Sequence, residues 1–128
     1  MNDSEILSEI RDAIIYGRED IRTFNYWIDS DSEKKSEYGI GCKEAGEICL
    51  KILRPLSRKL HRSYIRTGTI SGRIELLDEA LDSLGFHLAI MTLKDIAESY
   101  RNRGFYDILS QTFNFIYFLK ESYEFPPN

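Results

Sequence analysis

Seven cations, Lys51, Arg54, Arg58, Lys59, Arg62, Arg66 and Arg73, stand between residues 51 and 73 with no Asp or Glu among them. Arginines repeated at steps of four are suited to anion capture, because each guanidinium offers a planar fork of donors to a phosphate or a carboxylate. The whole chain carries a formal net charge of -4, from 17 Lys and Arg against 21 Asp and Glu. This segment takes seven of those bases and none of the acids. Charge is therefore segregated along the chain rather than balanced locally.

At about 100° per residue, the six cations from Lys51 to Arg66 fall within one arc of about 140°. Cys49, Leu53, Leu56, Leu60 and Tyr64 fall on the opposite side. A helix here buries one face and presents a rod of cations on the other. Like charges four apart, as at Arg54/Arg58, Arg58/Arg62 and Arg62/Arg66, each destabilise a helix by roughly 0.2–0.5 kcal/mol. A solvated face normally mixes signs, so the stripe predicts an anionic partner: a nucleic acid, or an acidic protein face such as that of a neighbouring subunit. Pro55 should bend the helix or restart it near Arg54.

Two further constellations could do chemistry. Glu44 with Glu47, and Glu79 with Asp82, place carboxylates three apart, a spacing that can share Mg²⁺ with phosphate oxygens. On the helical wheel, however, both pairs avoid the core side, and the plain reading is a Glu47–Lys51 pair with the remaining acids solvated. Arg54 and His61 fit a loose Arg-x(4–6)-His pattern, although His61 lies off the arginine stripe. No catalytic residue, metal ligand set or cofactor is assigned from these patterns. Cys42 and Cys49, two helical turns or about 10 Å apart, are too distant for a disulfide on a helix.

Helical spacing dominates the elements that must position these groups. Four helices are expected: about Ser4–Ile28, about Gly41–Ile65, a third capped near Ser71 and closed by "RNRG" near residue 100, and about Phe105–Tyr123 ahead of "FPPN". Four long helices with short connections predict an all-α, antiparallel up-down-up-down four-helix bundle occupying residues 1–128 as one domain. Lys34 and Lys35 then lie near Arg101 and Arg103, with Arg66 and Arg73 at the opposite end.

Eight of the sixteen aromatic residues lie between Phe105 and Phe125. Phe105, Leu109, Thr112, Ile116, Leu119 and Tyr123 form a core stripe, while Tyr106, Phe113 and Tyr117 form a second. That second stripe predicts a homo-oligomer contact, with the "EFPPN" tail as its alternative cover. No apolar run reaches the roughly 20 residues that span a bilayer. The N-terminus is acidic and amphipathic, so the expected location is cytoplasmic, with no membrane partner.

With these residues placed, the chain resembles the four-helix-bundle family of the accessory variability determinant of diversity-generating retroelements and the ribosomal RNA intervening-sequence proteins. "KSEYGIG", before the expected second helix, is similar to that family's Lys-Ser-Glu-aromatic-x-Leu-Gly entry, and "RIELLDEALDSLGFHLAIMTLKDI" to its third helix. The resemblance implies a non-catalytic, ring-forming bundle that binds RNA or DNA and assists a reverse transcriptase. The chain differs from the family in being acidic overall, which leaves the helix-two stripe to carry nucleic-acid affinity. The Glu44/Glu47 and Glu79/Asp82 pairs also resemble the magnesium ligands of MazG-type all-α nucleoside triphosphate pyrophosphohydrolases. Arg54 and His61 resemble the signature of HEPN ribonucleases.

Overall fold

The computed structural model describes residues 1–124. Five α-helices are present among them, with no strand: α1 (Asp3–Ile28), α2 (Glu33–Thr67), α3 (Glu75–Ala89), α4 (Leu93–Glu98) and α5 (Tyr100–Glu124). One 3₁₀ turn, Ser71–Arg73, connects α2 to α3. No helix among the described residues is long and apolar enough to cross a membrane.

Each boundary has a local cause. The Asn2 side chain accepts the Glu5 N–H at 2.8 Å and caps α1. Ser32 caps α2 through the Lys35 N–H, so the helix begins at Glu33, eight residues before the expected start. The helix reaches back through Gly39 and Gly41 because both glycines are buried between helices. A Cβ on Gly41 would collide with the carbonyl oxygen of Arg101, and one on Gly104 with that of Tyr38. Bare backbone at these two positions lets α2 and α5 touch directly. Gly68 closes α2 at φ 75, a left-handed conformation that glycine adopts without a side-chain clash.

The third expected helix is interrupted. Thr92 accepts the Asp95 N–H at 3.0 Å and Asp95 accepts the Thr92 N–H at 3.1 Å. This reciprocal capping box starts the short α4 instead of continuing α3. Ser99 is extended, and "RNRG" belongs to the start of α5 rather than to a closing turn. Pro55 lies inside α2, which runs unbroken through it. The hydrogen bond that Pro55 cannot make is offset by Leu53, Leu56 and Leu60 on either side, all buried.

Four of the five helices, α1, α2, α3 and α5, share one core. Ile6 and Ile10 of α1, Leu60 of α2, Leu77 and Leu84 of α3, and Leu109, Ile116 and Leu119 of α5 are fully buried in it. Packing sets which helix ends meet. Gly39 packs on Phe24 and Trp27, and Gly17 on Leu50, so α2 runs back along α1. Lys120 Nζ lies 2.5 Å from Asp78 Oδ1, and Phe113 packs near Gly85, so α3 and α5 run in opposite senses. At the far end, Lys34 Nζ sits 5.7 Å from the centre of the Tyr100 ring. The beginnings of α2 and α5 are therefore neighbours.

Candidate nucleic-acid interface

All seven cations of the basic segment are exposed. They ride on α2 and on the turn after it, while Leu53, Leu56 and Leu60 bury the opposite face. From Lys51 to Arg66 the stripe extends about 22 Å along the helix axis, the rise of roughly six or seven nucleotide steps in a duplex. Arg73 pairs with Glu75 at 3.3 Å. Among the described residues, none of Lys51, Arg54, Arg58, Lys59, Arg62 and Arg66 joins an ion pair. The Glu47–Lys51 pair expected from the sequence does not form.

The cations are not evenly disposed. Lys51 and Lys59 flank a shallow cleft of about 200 Å³ between α2 and α3, with Pro55, Leu76 and Glu79 on its walls. Further along, Lys59, Arg62 and Arg66 converge with Arg73 on a larger pocket of about 350 Å³. The sequence does not disclose this pocket, because Arg73 lies beyond the end of α2 and meets the stripe only when the chain turns at Gly68. The turn is held by hydroxyl groups. Ser63 Oγ donates to the Thr69 carbonyl at 3.2 Å, and Thr67 Oγ1 to the Ser63 carbonyl at 2.8 Å.

Glu44 is ion-paired with Arg101, and Glu79 and Asp82 are exposed on α3. Among the described residues, no group of three or more His, Cys, Asp or Glu is placed to hold a metal ion. Arg54 and His61 are both exposed on the unbroken α2, separated by a rise of about 10 Å along its axis.

The second aromatic stripe is divided by the fold. Tyr106 and Tyr117 are exposed, whereas Phe113 is half-buried against the core beside Gly85. Phe118, 56% exposed, joins Tyr117 on the outer face of α5. The "EFPPN" tail considered as a cover falls almost wholly at residues 125–128, outside the described residues.

Two buried thiols and a tyrosine occupy the seam between α2 and α5. Tyr38 Oη donates a 2.7 Å hydrogen bond to Asp107 Oδ2. Burial, followed by that bond, raises the Tyr38 phenol above its ordinary range. Burial pushes the Cys42 thiol up to about 11 and raises Cys49 as well. Both cysteines are free, and neither has the exposed, electropositive surroundings of a reactive thiolate.

Comparison with family models, with curated proteins and with solved structures returns no match to this chain.

Proposed function

We propose that the protein binds nucleic acid through the outer face of α2, as a non-catalytic accessory. The observation that carries this reading is the row of six exposed cations on one side of a single helix, none of them in an ion pair among the described residues. Unpaired like charges destabilise the isolated helix, and a polyanion relieves them by replacing condensed counterions with Lys and Arg contacts. Arginine at four of the six positions favours phosphate oxygens, which it meets in a bidentate manner. Such contacts fix position on the backbone and read no sequence.

The finer architecture belongs to the same proposal. With α3 and α4 taken as one leg, the long helices make an up-down-up-down bundle, and the exposed rings of Tyr106, Tyr117 and Phe118 supply a surface for a second copy. The resemblance to the accessory variability determinant family extends the reading to work beside a reverse transcriptase. That extension rests on the residue pattern at positions 35–41 and 73–96. A cytoplasmic setting is part of the reading too, suited to nucleic acid and to two reduced thiols.

The deciding experiment measures fluorescence anisotropy with labelled RNA and DNA, run beside a nucleoside triphosphate hydrolysis assay with Mg²⁺. Binding without turnover supports the proposal. Turnover abolished by Glu44→Ala or Asp82→Ala overturns it in favour of the pyrophosphohydrolase.

A further inference from the structure

The basic stripe does not simply stop at the end of α2. It runs into the pocket of about 350 Å³ where Lys59, Arg62, Arg66 and Arg73 converge. Glu75, bound to Arg73 at 3.3 Å, is the one acid in ion-pair contact with that set among the described residues. The far wall is the loop after Gly68. Its Ser71 contributes a hydroxyl that lies 3.1 Å from Thr69 Oγ1. Beside it, a Cβ built on Gly72 would meet nothing within 4 Å, so the backbone there borders open space. The carbonyl end of α2, Glu75 and the Asp3 carboxylate bonded to Thr69 oppose an anion, and the four cations outweigh them.

The cations of the stripe's first half come about one per helical turn, a density suited to successive phosphodiesters of one charge each. Four in one pocket, set against Glu75 and Asp3, leave about two positive charges, more than a single diester neutralises. A phosphomonoester carries about -1.5 to -2 charges at pH 7 and three acceptor oxygens, which matches the larger donor set. We infer that this pocket holds the terminal phosphate of a nucleic-acid strand whose backbone lies along the stripe toward Lys51. The inference rests on the nucleic-acid reading above and adds an end-specific contact to it.

The test compares one short oligonucleotide in three forms: 5′-phosphorylated, 3′-phosphorylated, and bearing hydroxyls at both ends. One phosphorylated form should bind roughly tenfold more tightly than the hydroxyl form, the gain expected of a charge-assisted contact. Its advantage should shrink below about pH 6, as the monoester takes up its second proton. Arg73→Gln and Lys59→Gln should each reduce the preference. Lys51→Gln should weaken all three forms by a common factor and leave the ratio intact. Equal affinity for the three forms, or a preference unchanged in both pocket variants, overturns the terminal-phosphate assignment while leaving stripe binding in place. Absence of binding by every form at low salt overturns the nucleic-acid reading together with it.

Discussion

Asp3 Oδ2 accepts a 2.9 Å hydrogen bond from the Thr69 hydroxyl, across 66 positions of sequence. The same oxygen accepts the Ile70 N–H at 2.9 Å, and the Ile70 side chain is fully buried. The first turn of α1 thus holds the loop that walls the basic pocket. Asp3→Ala leaves the Ile70 amide without its acceptor and should cost about 1–3 kcal/mol. Urea unfolding should show a lower midpoint with an unchanged slope, and an unaltered midpoint would count against the interaction.

The glycine seam between α2 and α5 makes predictions that contrast with a glycine elsewhere. Gly41→Ala or Gly104→Ala drives a methyl group into a backbone carbonyl on the facing helix, and should cost about 1–3 kcal/mol or more. Gly85→Ala meets only the Phe113 ring, at an ordinary 3.6 Å. It should stabilise α3 by up to about 1 kcal/mol, the helix preference of alanine over glycine. Thermal unfolding of the three variants checks the contrast.

Alkaline pH should loosen the same seam. The Cys42 thiol is raised from 9.0 to about 11 by burial, so the folded chain holds its proton more tightly than the unfolded chain does. The resulting stability is fully present below pH 9 and declines as pH rises toward 11. Tyr38, raised in the same direction, adds to the decline at the upper end. Urea midpoints at neutral pH and at successive steps above about pH 9 should fall, and the fall should be smaller in Cys42→Ala. A flat profile contradicts this account.

Self-association should depend on the outer rings of α5 and not on the whole predicted stripe. Tyr117→Ser with Phe118→Ser should weaken association, seen by sedimentation over a range of concentrations, without lowering stability. Phe113→Ala should instead destabilise the monomer by roughly 2–4 kcal/mol, because its ring is half inside the core. A wild type that stays monomeric at every concentration contradicts the proposed association.

What the sequence discloses depends on range. Strong three-and-four periodicity in α1 sets its extent closely, because one apolar face repeated over many turns leaves little ambiguity, whereas in α5 it sets the end but not the start, which lies at Tyr100 because the polar "RNR" shows no apolar face. The α3–α4 break escapes that reading although its signal is present: Thr92 followed by Asp95 is a capping pair, masked by the apolar run of Leu88, Ile90, Met91 and Leu93. The start of α2 is placed too late because the polar run "DSDSEKKSE", residues 29–37, reads as a break with no apolar face, and the packing role of Gly39 and Gly41 shows only in three dimensions. The cationic stripe is legible since it is written on one helix. The pocket is not, because Arg73 joins Lys59, Arg62 and Arg66 only through a turn fastened by Asp3.

Whether the cations of α2 bind phosphates is tested most directly by the salt dependence of nucleic-acid binding. Wild type should show log affinity falling linearly with log salt, equally for unrelated sequences. Each of Arg54→Gln, Arg58→Gln, Arg62→Gln and Arg66→Gln should flatten that slope by about 0.7–0.9 for each phosphate no longer neutralised. Folding should survive all four changes, since these side chains point away from Leu53, Leu56 and Leu60 and their mutual repulsion is relieved. A folded quadruple Gln variant that kept the wild-type affinity and slope would contradict the account.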